Sequence, residues 1–212
     1  MKKIYFIRHG EGEGNIDPSC PEMTSILTPR GRGQAMLVAT RFVDIPVEKI
    51  ISSTMIRAKE TADIISKNNG TSMDVSNLFV ERRKPKEQAG VTSDDPHARH
   101  AEETILANFN VPVHRFSDEE NFDDLNNRAN GALRYLKEMP EKNIMVITHS
   151  FFMRVIIAHA IFDKEITAEK CQRFIKKFNM ENTGITTMEY NEGNEHSPWR
   201  ICGWNDHSHL RY

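Results

Sequence analysis

The sequence predicts an α/β protein with a parallel sheet, and three observations carry that prediction. Ile4-Tyr5-Phe6-Ile7 is a short apolar run rich in β-branched and aromatic residues, which reads as a buried strand. Ile144-Met145-Val146-Ile147 has the same character far along the chain. Between them, strand-like and helix-like segments alternate in βαβα order, which implies parallel pairing. Both runs switch abruptly to polar residues, Arg8-His9-Gly10 after the first and Thr148-His149-Ser150 after the second. In a parallel sheet those ends share one edge, where such sheets usually hold their ligands.

Each element has a local cause. Thr28-Pro29-Arg30-Gly31 supplies a threonine cap and a proline at the first helical position, starting a helix over 29–43. Pro46 separates it from a short strand at 49–52. A second helix over 55–67 takes its apolar face from Ile56, Ala58, Thr61, Ala62, Ile64 and Ile65, and Asn68-Asn69-Gly70 stops it. The pattern weakens over 78–117. Leu78-Phe79-Val80 gives way to Glu81-Arg82-Arg83-Lys84-Pro85-Lys86, then to Asp94-Asp95-Pro96-His97 and a short helix near 101–109. Long loops in compact domains tend to be functional, so residues 82–116 read as an insertion or lid over the sheet edge. Leu106, Phe109, Val111, Val113 and Phe116 make this segment too apolar for a disordered linker. An acidic helix start follows at Ser117-Asp118-Glu119-Glu120, with Phe122, Leu125, Ala129, Ala132, Leu133 and Leu136 at helical spacing and Pro140 at the end. Helices over 152–161 and 168–177 precede two closing strands, 184–190 and 199–204, and a histidine-bearing tail.

The whole chain narrows the function classes. Its 212 residues fit one domain carrying an insertion. Lys and Arg number 28 against 30 Asp and Glu, so no global field favours nucleic acid or an anionic membrane as a partner. Cys20, Cys171 and Cys202 are widely spaced and odd in number, which indicates neither a disulfide framework nor a metal site. No histidine, cysteine or carboxylate cluster marks a metal, and no cofactor is expected. The first apolar run is too short for a signal-peptide core, and no run approaches membrane-spanning length. The expectation is a soluble, cytoplasmic protein.

The candidate chemistry lies at the strand ends. Arginine offers a planar fork of donors suited to phosphate or carboxylate, and histidine can serve as base, acid or nucleophile. The strand at 49–52 delivers Ser52-Ser53-Thr54 and then Arg57 to the same edge as His9 and His149. Singly, each has an ordinary reading as a loop, core or helix-surface residue. Jointly, two histidines and two arginines from three separated segments converge at the functional end of one sheet.

Four stretches together resemble the histidine phosphatase superfamily. They are Arg8-His9-Gly10-Glu11 with Asn15, Leu27-Thr28-Pro29-Arg30-Gly31, Ser53 through Ala62, and Thr148-His149-Ser150. The similarity runs nearly the full length and looks like the branch with phosphoglycerate mutases and broad-specificity phosphatases. It implies a three-layer α/β/α fold with a mostly parallel central sheet and an inserted lid. It further implies a phosphatase acting on small-molecule phosphomonoesters through a phosphohistidine on His9. Arg8, Arg57 and His149 match the phosphate pocket, with His149 donating as an imidazolium, and Asn15 matches a further phosphate contact. Phosphoryl transfer leaves mainly positioning and charge stabilisation to the protein, so such a pocket needs no metal. Glu81 matches the general acid, one residue removed from the commoner Leu-x-Glu-Arg spacing, with Glu87 in reserve and His97 and His100 less favoured. Arg82 and Ser150 are candidate substrate contacts, Ser150 standing where glycine is common. No basic pattern for gripping a carboxylate is recognisable between Arg82 and Phe116, which favours hydrolysis over a mutase. A catalytically inactive phospho-ligand-binding scaffold is the reading from another class.

Overall fold

The computed structural model describes residues 1–17, 19, 24–92, 95–194 and 197–210; Cys20 and Asp94 lie outside them. Among the described residues, six strands form one sheet in the order β3-β2-β4-β1-β5-β6. The strands are β1 (Lys2–Arg8), β2 (Lys49–Ser53), β3 (Met73–Ser76), β4 (Asn143–Thr148), β5 (Ile185–Tyr190) and β6 (Trp199–Asp206). The four strands from β3 to β1 pair in parallel, and β5 and β6 pair antiparallel at the other side. The sheet is therefore mostly parallel, as expected.

Strand alternation makes the layers. Tyr5 and Ile7 face a core with Val38, Ala39 and Phe42 at α2 (Pro29–Arg41) and Ala58, Ala62 and Ile65 of α3 (Ile56–Asn69). Ile4 and Phe6 face the other way, into a core with Leu125 and Ala129 of α5 (Phe122–Glu138), Phe152 and Ile156 of α6 (Ser150–Phe162) and Phe174 of α7 (Ala168–Lys177). Two cores on opposite faces give the three-layer α/β/α arrangement. Each large apolar side chain buried in this way contributes roughly 1.5–3 kcal/mol relative to exposure. Two further helices, α1 (Glu13–Ile16) and α4 (Pro96–Ala107), lie outside these layers in sequence, in the loop after β1 and in the 82–116 segment.

Local signals set most helix ends. Thr28 caps α2 by accepting from Gly31 N–H, with Pro29 at the first position. Gly70 ends α3 in the left-handed region, at φ +68°. Two expectations need correction, and one strand was not foreseen: the apolar run Leu78-Phe79-Val80 lies at a 3-10 turn, Asn77–Phe79, just after the unforeseen strand β3. Asp74 and Val75 of β3 are exposed, so this edge strand has no apolar run to announce it. Helix α5 begins at Phe122, not at the acidic stretch, because Asn121 and Asp124 form a reciprocal capping box. Glu119 instead accepts from Phe116 and Ser117 N–H, while Glu120 pairs with Arg128. The helix expected near 101–109 starts earlier, at Pro96, where Asp95 accepts from His97 and Ala98 N–H.

Two backbone segments touch where only glycine fits. A Cβ on Gly10 would lie 2.5 Å from Gly31 O, and one on Gly31 would lie 2.0 Å from Glu11 O. The loop after β1 is thus pressed against the first turn of α2. Gly31→Ala should force the two apart and cost roughly 1–3 kcal/mol, as overpacking does elsewhere. Thermal melts will register this as a drop of several degrees, and an unchanged midpoint would show that the contact yields freely.

Candidate active site

Three strand ends build the site. β1 ends at Arg8 and releases His9, β2 ends at Ser53 just before the α3 turn that carries Arg57, and β4 ends at Thr148 beside His149, the N-cap of α6. His9, Arg57 and His149 expose only 3%, 4% and 0% of their surface. Such burial leaves their polar atoms to be satisfied chiefly by one another and by the neighbouring backbone.

The hydrogen bonds settle the ring tautomers. His9 Nδ1 lies 2.6 Å from Gly10 O, which can only accept, so Nδ1 carries the proton. Arg57 Nε donates to His9 Nε2 at 3.0 Å, so Nε2 holds a lone pair. Arg57 Nη2 lies 3.1 Å from His149 Nδ1, which therefore accepts, and His149 Nε2–H donates to Ser53 Oγ at 2.8 Å. The two rings are 5.0 Å apart between centroids. Burial, then the charge of Arg57, the neighbouring His149 ring and the charge of Arg8, hold His9 well below the ordinary histidine range. Burial, then Arg57, Arg8 and Arg128, does the same to His149. Both rings are neutral. In this arrangement a cation at His149 Nδ1 would face the Arg57 guanidinium; the imidazolium expected toward a transferring phosphoryl group belongs to the occupied site.

Arg8 extends the positive patch. Its Nη1 donates to Met180 O at 2.6 Å, and its Nε is buried without an acceptor. A cavity of about 990 Å³ opens over Arg8, His9 and Arg57, and Asn15, Glu81, Arg82 and Ser150 also line it. The structure thus gathers at one cavity the expected site residues from the first loop, the second strand, the 82–116 boundary and the head of α6. His149 lies beneath, bonded to Arg57.

Glu81 is held at the head of α6. Its Oε1 accepts from Phe152 N–H and Arg82 N–H, each at 2.9 Å, and its Oε2 accepts from Phe151 N–H at 3.0 Å. A carboxylate at a helix N-terminus is favoured by the exposed N–H groups and the helix dipole. Arg128 of α5 fixes the preceding backbone by donating to Val80 O at 2.8 Å while its guanidinium stacks 3.4 Å over the Phe152 ring. Glu87 does not line the cavity, and neither does His97 or His100. Arg82 lines it, but its Nη2 is engaged by both oxygens of Glu102, at 2.6 and 2.9 Å. Asn15 Oδ1 accepts from Gly12 N–H at 2.9 Å and from Asn182 Nδ2 at 3.3 Å.

Residue-by-residue reading missed Ser53 as the partner of His149, and Thr61, which accepts from Gly10 N–H at 3.0 Å. Asn182, which donates to His9 O at 3.0 Å, was also missed as a site residue. Ser53 and Thr61 do fall within the quoted motif, but a hydroxyl's partner depends on the fold and not on its sequence neighbours. Among the described residues, no group of three His, Cys, Asp or Glu side chains could hold a metal ion, and no helix is long and apolar enough to cross a membrane.

The buried neutral rings make stability depend on acid. Histidines with depressed folded pKa values refuse protons that the unfolded chain accepts below about 6.5. Stability should therefore fall as pH drops through 6.5, with His9 and His149 each contributing up to about 1.4 kcal/mol per pH unit. Denaturant titrations at pH 7.5 and 5.5 measure this; equal stability at both would mean that the folded rings take up protons as readily as the unfolded chain does.

The family model of the histidine phosphatase superfamily (branch 1) matches residues 4–207. An Escherichia coli O1:K1 protein named probable phosphoglycerate mutase GpmB is 26% identical, covering 99% of this chain and 95% of its own. Bacillus stearothermophilus YhfR superposes with a TM-score of 0.82 at 22% identity, over 100% of both chains. A phosphoserine phosphatase mutant from Entamoeba histolytica, in complex with phosphoserine, gives a TM-score of 0.76 at 23% identity, again over 100% of both. At such identities the two solved structures speak for the fold, while the family match spans nearly the whole chain. With its two histidines and two arginines at the sheet edge, this chain belongs to the histidine phosphatase superfamily, branch 1.

Proposed function

We propose that the protein hydrolyses small-molecule phosphomonoesters without a metal, through a phosphohistidine on His9. The observation that carries this reading is the fixed tautomer of His9: Nδ1–H is tied to Gly10 O, which leaves the Nε2 lone pair beside Arg57. A neutral imidazole with one nitrogen anchored and the other unprotonated is the form a nucleophile needs.

The steps follow from the donors present. A bound phosphoryl group takes Arg57 and Arg8 as donors, replacing the histidine nitrogens as acceptors for Arg57. His149 Nδ1, now facing an anion, takes up a proton from solvent and donates to the same group. Asn15 and the head of α6 at Ser150 add neutral donors. His9 Nε2 forms a bond to phosphorus as the ester P–O bond breaks, and Glu81, a carboxylate until it takes up the proton of the incoming phosphate monoanion, gives that proton to the leaving oxygen. Water then attacks the phosphohistidine with the Glu81 carboxylate as base, the P–N bond breaks, and inorganic phosphate leaves. Most of the acceleration comes from preorganised donors around the transferring group.

Hydrolysis is favoured over a mutase by the surroundings of the basic residues nearest Glu81. Arg82 is held by Glu102, and Arg83 Nε donates to Asp118 O at 2.6 Å, so both are committed within the protein. The relatives include proteins named as a mutase and as a phosphatase, and product analysis separates the two. In chelator, an aryl phosphate should release free phosphate, and His9→Ala should abolish that release without unfolding the chain. The trapped intermediate should be labile to acid and stable to alkali, as a phosphoramidate is. Activity retained in folded His9→Ala would remove the covalent step. Phosphate moved between positions of a sugar acid, with little release, would favour the mutase, and binding without turnover the scaffold.

Glu81→Gln tests the acid. Alkyl phosphates should lose about 10²–10⁴ in rate, whereas aryl phosphates with acidic phenols should still phosphorylate quickly. An activated aryl ester should then show a burst of phenol followed by slow turnover. Uniform loss with no burst would take Glu81 out of this role.

A further inference from the structure

The turn at 181–184 packs behind the loop that carries His9, and the proposed chemistry has made no use of it. Thr183 N–H donates to Arg8 O at 2.9 Å and to His9 O at 3.3 Å. Asn182 Nδ2 donates to the same His9 carbonyl at 3.0 Å, across 173 residues of sequence. Gly184 O in turn accepts from Arg8 N–H at 3.3 Å. Both residues at the end of β1 are thereby held through their main chain.

Thr183 makes these bonds from an unusual conformation. Its φ is +58°, in the left-handed region that β-branched residues rarely adopt, and it is completely buried. Such strain persists only where the surroundings over-determine it, and here the side chain shows how. Thr183 Oγ1 donates its one proton to Asn182 O at 2.6 Å. Its contact with His209 Nε2, at 3.0 Å, must then be filled from the ring, so Nε2–H donates to Oγ1. Nδ1 of His209 is left as an acceptor, and Arg41 Nη1 lies 3.5 Å from it. Arg41 ends α2 and is itself paired with Asp206 and with Ser208 Oγ. Burial and the Arg41 charge push His209 down to about 4, so the ring stays neutral in this relay.

We infer that Thr183 and His209 form a positioning relay for His9, in which the tail at 206–210, braced on the last residue of α2, holds the turn that grips the main chain of the nucleophile. The relay touches no substrate. It sets where His9 stands relative to Gly10 O, which fixes the ring's tautomer, and a small misplacement of a reacting group is costly in rate. The inference rests on His9 as nucleophile and extends that reading to residues at the far end of the chain.

Four variants test it: Thr183→Val, which keeps the shape and the strain but removes the hydroxyl; Thr183→Ser, which restores it; His209→Ala; and His209→Gln, which restores an N–H donor. Phosphorylation rate per titrated active site, KM and the NMR signal of the His9 Nδ1 proton are measured in each. Thr183→Val and His209→Ala should each slow phosphorylation about tenfold with KM within about twofold, and shift or broaden the His9 signal. Thr183→Ser and His209→Gln should recover most of the rate. The double variant Thr183→Val/His209→Ala should be no worse than either single, because the two act in series. Parental rates per site with only a lowered melting temperature would reduce the relay to a structural brace, and additive losses would break it into unrelated contacts. Should Thr183→Val fail to fold, the two His209 variants carry the same comparison with the strained turn intact. Absence of a phosphoenzyme in the parent protein would overturn the reading of His9 itself, and the shift of the His9 signal still decides the relay.

Discussion

Everything at this site depends on one buried guanidinium held between two imidazoles. Arg57 donates to His9 through Nε and to His149 through Nη2. A cation in that position keeps both rings neutral, because either ring's own charge would face it at hydrogen-bond distance. It also orients them, since each must turn its lone pair inward. Burying a cation carries a large desolvation cost, which the hydrogen bonds to the two rings offset in part. The close passage of Gly10 against Gly31 and the Ser53 contact with His149 keep the rings within reach of the guanidinium.

The two faces of the sheet divide the remaining work. The His9 and Arg57 end of the site stands on the α2 and α3 side, through the first turn of α3 and the glycine contact with α2. Glu81 is set from the other side, by the first N–H groups of α6 and by Arg128 of α5. His9 and Glu81 thus hang from opposite layers, and their separation is fixed by β1 and β4 lying side by side. Repacking a single layer would shift one partner relative to the other without touching either residue.

What could be read from the amino acids follows from where their information is local. The runs ending in His9 and His149 announce buried strands because both faces of a parallel strand are apolar, and the polar switch marks the ligand edge. Arg57 is legible because a motif fixes its distance from Ser53. β3 is illegible, since an edge strand with exposed Asp74 and Val75 resembles a loop. Glu119 and Glu120 mimic a helix start because acidity near a cap is only a tendency, and Asn121 has the geometry that wins. Thr183 and Asn182 sit in a stretch that fits the family's closing strands, but their grip on His9 exists only once β5 lies beside β1. The charge state of His149 is likewise a property of its buried neighbours.

The placement of β1 has a consequence for the newborn chain. Among the six described strands this one comes first in sequence, yet its two partners are β4 and β5, so both its hydrogen-bonding edges stay open until Asn143–Thr148 and then Ile185–Tyr190 have been synthesised. Non-local pairings of this kind close slowly, and an apolar strand with two bare edges is a template for wrong partners. The growing chain must keep Lys2–Arg8 shielded or solvated until both partners have emerged. Lys2 and Lys3 at its head supply charges that discourage edge-to-edge pairing in that interval.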